Sequence, residues 1–214
     1  MRVKICGITT ADQGLAIAQL GATDLGFICV RRSPRYVTPQ QIRAIAQSLS
    51  QNAASVGRVG VFADAPLEEI CETVAIAQLT AVQLHGQESP QFCQALRQSL
   101  PDIELIKAFR VKTIDGLQQT QPYAAAVHTL LLDAYDPKLL GGTGHTLDWA
   151  SLKQFCPPLP WLLAGGINPD NVLEALALAH PDGIDLSSGV ERSPGVKDLH
   201  QVVRLFERLQ TIAR

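Results

Sequence analysis

The sequence predicts an α/β protein, a (β/α)8 or TIM barrel that forms a single domain over residues 1–214. Short apolar segments alternate with segments of helical periodicity along the whole chain. The alternation repeats eight times, and eight parallel strands can close into a barrel that leaves no sheet edge exposed. Polar or glycine-rich residues follow most of the apolar segments, at the end where this fold places its active site.

The strands are predicted from short apolar runs bounded by turn residues. They cover residues 3–8, 25–30, 58–62, 81–85, 103–109, 128–133, 161–164 and 183–186. The sixth has three consecutive leucines before Asp133, a pattern typical of a strand buried on both faces whose carboxyl end carries a charge to the rim of the sheet.

The helices are predicted from amphipathic segments and from residues that favour helix starts. A Ser, Thr or Asn side chain can accept a hydrogen bond from the first turn, and proline fits the first helical position. The expected helices are 12–20, one capped by Thr38 before Pro39, one with Pro66 in its first turn, one capped by Ser89 before Pro90, a weaker one at 114–120, one at 148–155, one capped at Asn168–Pro169 and running to 179, and one at 198–209.

Charge and composition favour a small-molecule substrate. Eighteen basic and twenty acidic side chains give a net charge of −2, so we expect neither nucleic acid nor an anionic membrane as a partner. The amino-terminal segment MRVKICGITT has no secretory apolar core, and no stretch approaches the roughly 18 apolar residues of a membrane span. We therefore expect a cytoplasmic protein.

The five cysteines argue against a disulfide framework and against a zinc site, because their number is odd and they form no C-x-x-C pair. We expect reduced thiols. Cys29, Cys71, Cys93 and Cys156 are interpreted as small buried apolar residues. Cys6 differs, because it ends the first predicted strand.

Four other side chains share the position of Cys6, near the carboxyl end of a strand, where barrel enzymes carry their catalytic groups. Arg35 lies in the loop after strand two, Gln83 and His85 end strand four, and Asp133 ends strand six. His85 fits either a substrate contact or a structural hydrogen bond.

Three loops expose backbone that can approach a phosphate group. Glycine has no side chain to block a ligand and permits the positive φ angles of a concave loop. A G-G-x-G loop alone is more often merely flexible, but the loops after strands seven and eight commonly build the phosphate site of this fold. The residues are Gly141, Gly142 and Gly144 after strand six, Gly165 and Gly166 after strand seven, and Ser188 and Gly189 after strand eight.

The whole chain resembles the phosphoribosylanthranilate isomerase family of tryptophan biosynthesis. The motifs that carry the resemblance are, in order, VKICGIT, SPRYVTP, VGVF, VQLHG, LLD with GGTGHTLDW, AGGINPDN and DLSSGVE. One departure is His145, where the family often has lysine in a loop of the form GGSGKT.

The resemblance implies an Amadori rearrangement of N-(5-phosphoribosyl)anthranilate that uses no metal and no cofactor. We expect a monomer or a homodimer. It implies that Cys6 is the general base, Asp133 the general acid and Arg35 the contact to the anthranilate carboxylate. These residue types suit the chemistry. Asp133 can act as an acid if apolar neighbours such as Leu131 and Leu132 keep it protonated, and an ordinary thiol with a pKa of about 8.5 is near enough to neutrality to act as a base.

Two alternatives remain in view. A related barrel isomerase of histidine biosynthesis uses aspartate where this chain has Cys6, and its two-phosphate substrate calls for a second glycine loop in the first half of the chain, which we do not find. A phosphate-binding barrel without chemistry predicts that Cys6 or Asp133 has been lost, and both are present.

Strand alternation predicts a buried ion pair. If Val3 and Ile5 face the helices, Lys4 and Cys6 face the barrel interior, because side chains alternate along a strand. Strand eight neighbours strand one in a closed barrel, so Asp185 is the expected partner of Lys4, one layer below Cys6.

Overall fold

Eight parallel strands form a closed barrel in chain order, which confirms the predicted fold. The computed structural model describes residues 1–52, 56–111, 114–134 and 149–212. The last strand pairs with the first, so the sheet has no free edge. The strands are β1 Arg2–Cys6, β2 Asp24–Ile28, β3 Gly57–Phe62, β4 Ala81–Leu84, β5 Glu104–Val111, β6 Thr129–Ala134, β7 Trp161–Ala164 and β8 Gly183–Leu186.

Helices cover the outside of the barrel. They are α1 Ala11–Gln19, α2 Pro39–Asn52, α3 Leu67–Ala77, α4 Pro90–Ser99, α5 Val172–Ala179 and α6 Leu199–Gln210. Two predicted helices are instead 3₁₀ segments, Ile114–Tyr123 and Trp149–Gln154. The first contains Pro122, whose ring would clash with the carbonyl group four residues earlier in an α-helix. Within the described ranges, no helix combines the length and the apolar character that a membrane span needs.

Most predicted helix starts agree with the structure. Thr38 and Gln41 cap α2 reciprocally, with Gln41 N donating to Thr38 Oγ1 at 3.2 Å and Thr38 N donating to Gln41 Oε1 at 2.8 Å. Ser89 caps α4, with Pro90 in the first turn.

Two starts differ. Pro66 lies at the N-cap of α3 rather than inside its first turn. The helix predicted from Asn168 begins at Val172, because the Asn168 side chain accepts a hydrogen bond from Asp170 N at 2.8 Å and closes a turn instead.

Alternation along the strands separates two apolar regions. The larger core lies between the outer face of the barrel and the helices, and includes Leu130 and Leu132. A smaller cluster fills the barrel interior and consists of Val59, Ala81, Ile106, Ala108, Leu131, Leu162 and Ala164. Because Leu131 faces inward, Asp133, two residues further on, faces inward as well.

An arginine closes the amino-terminal end of the barrel. Arg2 forms bidentate contacts with Asp24, at 2.8 and 2.9 Å, and also bonds both carboxylate oxygens of Glu104. Thr129 Oγ1 donates to Glu104 at 2.6 Å. Burial alone would lower the pKa of Arg2, but its hydrogen bonds to the two carboxylates raise it overall, so the guanidinium stays charged.

The predicted ion pair between Lys4 and Asp185 is present. The two residues are paired in the register of β1 and β8, and Lys4 Nζ lies 2.9 Å from Asp185 Oδ1. The Lys4 side chain is 0% exposed and that of Asp185 is 9% exposed. Burial alone would lower the pKa of Lys4, but Asp185 and the neighbouring Cys6 outweigh it and raise the pKa.

Removing Asp185 should destabilise the protein, because the buried ammonium of Lys4 loses its partner. We expect Asp185→Ala to lower the free energy of unfolding by about 3 to 5 kcal/mol in chemical denaturation. The control is Asp170→Ala, which removes an exposed ion pair with Arg204 and should cost less than about 1 kcal/mol.

A double variant, Lys4→Met with Asp185→Leu, should recover most of the lost stability, because it removes both buried charges. An Asp185→Ala protein as stable as the parent would show that the pair is not needed to neutralise a buried charge.

Candidate active site

A cavity of about 330 Å³ opens at the carboxyl ends of the strands. Every sequence-predicted site residue in the described ranges lines it: Cys6, Arg35, Gln83, His85, Asp133, Gly165, Gly166, Ser188 and Gly189. Gly141, Gly142, Gly144 and His145 lie outside the described residues. A second cavity, of about 460 Å³, lies outside the barrel between the 3₁₀ segments Ile114–Tyr123 and Trp149–Gln154 and carries none of these residues.

Cys6 lies at the end of β1 with its thiol inside the barrel. Its partner in the sheet register is Gly26 on β2, and a Cβ atom at that position would lie 2.7 Å from the sulfur. Glycine there provides the space for the thiol. Gly7, at φ +82°, then turns the chain beneath Arg35.

The electrostatic surroundings of Cys6 favour the neutral thiol. Burial raises its pKa most strongly, while the cations of Lys4 and Lys197 lower it only in part. The desolvation of the thiol outweighs the opposing fields of Lys4, which lowers the pKa, and Asp185, which raises it.

Asp133 reaches the cavity from the end of β6. Its side chain is 33% exposed, and its Oδ2 lies 3.7 Å from His85 Nε2. Leu131 lies one layer below on the same face, whereas Leu132 points into the outer core. Of the two leucines that were expected to surround Asp133, only Leu131 lies on its side of the strand.

Gln83 and His85 form a chain that leads toward Asp133. Gln83 Nε2 lies 2.9 Å from His85 Nδ1. With the amide donating, Nδ1 is the acceptor and Nε2 carries the proton that faces Asp133. Gln83 Oε1 is buried and has no hydrogen-bond partner within the described part of the chain. Its lone pairs are therefore available to a donor from a bound molecule.

Arg35 does not stand free in its loop. Its Nε lies 3.0 and 3.1 Å from the two carboxylate oxygens of Glu191, and its Nη2 lies 2.6 Å from Glu191 Oε2. Hydrogen bonds to Glu191 are the largest cause of the raised pKa of Arg35. Glu191 was not among the residues predicted from the sequence, although it is the last residue of the motif DLSSGVE.

The loops after β7 and β8 meet closely at the rim of the cavity. Gly165 and Gly166 adopt φ angles of +93° and +68°, a region that favours glycine. A Cβ atom on Gly189 would overlap the carbonyl oxygen of Ile167. Only a glycine at that position lets the two loops approach so closely, and the approach brings their backbone amides to one edge of the cavity.

The other cysteines are free thiols outside the cavity lining. Cys93 is buried and Cys29 and Cys71 are partly buried. Cys156 is exposed, so its interpretation as a buried apolar residue was wrong. It follows the 3₁₀ segment at 149–154 and precedes two prolines, where the chain runs along the surface. Among the described residues, no three His, Cys, Asp or Glu side chains are grouped as metal ligands.

Comparisons with known proteins agree with one another. The family model for N-(5'-phosphoribosyl)anthranilate (PRA) isomerase matches residues 3–208. The chain is 62% identical to the N-(5'-phosphoribosyl)anthranilate isomerase of Rippkaea orientalis, over 98% of this chain and 96% of that protein. It is 60% identical to the enzyme of the same name from Acaryochloris marina, over 99% of both.

A similar architecture is found in a solved phosphoribosyl anthranilate isomerase in complex with reduced 1-(o-carboxyphenylamino)-1-deoxyribulose 5-phosphate. The two chains superpose with a TM-score of 0.84 at 33% identity, over 99% of each. The match by family model, sequence and structure extends over nearly the whole chain. The protein therefore belongs to the N-(5'-phosphoribosyl)anthranilate isomerase family.

Proposed function

We propose that this protein catalyses the Amadori rearrangement of N-(5-phosphoribosyl)anthranilate to 1-(2-carboxyphenylamino)-1-deoxyribulose 5-phosphate, a step of tryptophan biosynthesis in the cytoplasm. The observation that carries the proposal is the shared cavity, where Cys6 and Asp133 lie with Arg35 and the two glycine loops. The ligand of the related solved structure carries a carboxyphenyl group and a phosphate. Arginine and backbone amides suit those two anions.

The first half of the reaction uses Asp133 as the acid. Its carboxyl group donates a proton to the ring oxygen of the ribose, the bond from C1 to that oxygen breaks, and the nitrogen lone pair forms a C=N bond. The Nε2 proton of His85 faces the carboxyl group of Asp133 from 3.7 Å, which is longer than a hydrogen bond, so His85 acts on Asp133 through its dipole and not through a direct bond. The product of this half is an open-chain iminium ion.

The second half uses Cys6 as the base. Because burial favours the neutral thiol, the minor thiolate form of Cys6 is the one that removes the proton from C2. The C2–H electron pair then forms a C1–C2 double bond, and the electron pair of the C=N bond returns to the nitrogen. The resulting enol tautomerises to the ketone, with a proton added at C1. Cys6 then loses a proton and Asp133 regains one through solvent, which restores the starting protonation states.

The remaining residues bind the substrate in this proposal. The backbone amides of Gly165, Gly166, Ser188 and Gly189 take the phosphate, and Arg35 takes the anthranilate carboxylate. The unpaired Gln83 Oε1 accepts from a sugar hydroxyl. Gly141, Gly142 and Gly144 lie outside the described residues, and their contact with the substrate stays a prediction from the sequence. All of these groups come from one chain, so the proposal suits a monomer and a homodimer alike.

Replacing the acid or the base should abolish most of the turnover. We expect Cys6→Ser and Asp133→Asn each to lower kcat by at least about 100-fold, the usual scale for a lost acid or base, with little change in substrate binding. The assay follows the loss of fluorescence of freshly generated phosphoribosylanthranilate. The controls are Cys156→Ser and Asp170→Asn, both at exposed positions. Near-normal kcat in either active-site variant would refute the assigned roles.

Inorganic phosphate should compete with the substrate, because the proposed phosphate site consists of backbone amides that bind the free anion as well. Initial rates at several phosphate concentrations give the type of inhibition. A crystal grown in phosphate or sulfate should hold the anion between the carboxyl ends of β7 and β8. Anion density found only at other places would argue against this location.

The Cys6 thiol should ionise at an unusually high pH in the free protein. Burial favours the neutral thiol and raises its pKa, so thiolate appears only as the pH rises above the ordinary value of about 8.5. Alkylation by iodoacetamide, followed by peptide mass spectrometry and normalised to the exposed Cys156, should give that midpoint. A midpoint at or below the ordinary value would mean that Lys4 and Lys197 outweigh burial.

A further inference from the structure

Glu191 is a buried carboxylate beside the cavity to which the proposed mechanism gives no task. It begins a short strand, β9 Glu191–Ser193, that pairs with β10 Val196–Lys197 in a hairpin after β8. Its side chain is only 3% exposed. An ionised side chain at such a position is costly unless it is fully paired, so its partners show what it does.

Glu191 has three partners, of which two lie in its own hairpin and one in the loop after β2. Lys197 lies opposite Glu191 in the register of the hairpin, and its Nζ lies 2.7 Å from Glu191 Oε1. Gly195, at the hairpin turn, donates its backbone N–H to the same oxygen at 3.2 Å. Arg35, from the loop after β2, contacts both oxygens. The hairpin is itself anchored to the start of the barrel, because Thr9 Oγ1 donates to Gly195 O at 2.6 Å.

The charges of this cluster favour an anionic ligand. Burial alone would raise the pKa of Glu191, but hydrogen bonds from Arg35 and Lys197 lower it overall, so the carboxylate is ionised. Burial lowers the pKa of Lys197, and Glu191 opposes that change. Two cations around one carboxylate leave a net positive charge at the cavity wall. Without Lys197, Glu191 would cancel the charge of Arg35.

The geometry also decides which edge of Arg35 is available. A guanidinium has N–H donors along two edges, one between Nε and Nη2 and one between Nη1 and Nη2. Glu191 occupies the first edge. No other partner of the guanidinium is found among the described residues, so the Nη1–Nη2 edge is free for a second carboxylate in bidentate geometry. Arg35 lines the cavity.

We propose that Glu191, with Lys197, is a positioning residue that fixes Arg35 so that its free edge receives the aromatic carboxylate of the substrate. This inference rests on the proposed function. Arg35 contacts a group that does not change during the reaction, so its interaction is the same in the ground state and in the transition state. Losing the orientation of Arg35 should therefore raise KM and leave kcat nearly unchanged.

The test uses Glu191→Gln, which keeps the shape of the side chain but removes its charge and its second acceptor oxygen. Two ligands are compared by calorimetry: reduced 1-(2-carboxyphenylamino)-1-deoxyribulose 5-phosphate, and the same compound with an unsubstituted phenyl ring. We expect Glu191→Gln to weaken the carboxylate ligand by about tenfold or more, the scale of a charge-assisted hydrogen bond. Binding of the phenyl compound should not change.

Three further variants separate positioning from a general loss of structure. Glu191→Asp keeps the charge and should restore part of the affinity. Glu207→Gln, at an exposed position of α6, should have no effect. Adding Glu191→Gln to an Arg35→Met protein should cause no further loss, because the residue acts through Arg35.

The outcomes are distinct. If Glu191→Gln weakens both ligands equally, or neither, the inference is overturned. Failure of the proposed function has a different signature, since the parent protein would then not convert phosphoribosylanthranilate at all. The binding comparison needs no turnover and gives its answer in either case.

Discussion

The seam between β1 and β8 closes the barrel, and the ion pair of Lys4 with Asp185 lies across it. The position of this seam decides where the chemistry can occur. It places Cys6 directly above the ion pair of Lys4 and Asp185. It also brings the chain that leaves β8 back over the start of the barrel, where the hairpin with Glu191 and Lys197 meets the loop that carries Arg35. The groups of the cavity thus depend on one correct pairing of the first strand with the last.

Buried lysines in the described ranges follow a common pattern, in which each is matched by a carboxylate. Lys4 pairs with Asp185, Lys107 with Glu88 at 2.9 Å, and Lys197 with Glu191. Such pairs are weak contributors to stability, because removing two charges from water offsets most of their attraction. Two of the three pairs lie at the cavity, where they set the field around Cys6 and Arg35. These ion pairs therefore contribute more to the position of charged groups at the cavity than to the free energy of unfolding.

Side-chain alternation and strand order explain why much of the site was predictable. Parity along β1 and β8 was enough to pair Lys4 with Asp185, and the common position of strand ends was enough to bring Cys6 and Asp133 into one cavity. These inferences need only short, regular strands. They fail where long side chains reach across the barrel, as Arg2 does toward Glu104. They also fail for Glu191, which lies beyond the last predicted strand in a hairpin that depends on tertiary contacts.

The apolar cluster in the middle of the barrel and the Arg2 network beneath it have a kinetic consequence. Together they fill the barrel from its middle to its amino-terminal end, so the cavity opens only at the carboxyl ends of the strands. A molecule that enters from the rim meets a floor of packed side chains, and it has to leave through the entrance that it used. The product must therefore leave the cavity before the next substrate molecule can bind. Any loop that closes the entrance to protect a reactive intermediate from water also slows product release. Better protection of the intermediate therefore comes with a lower rate of turnover.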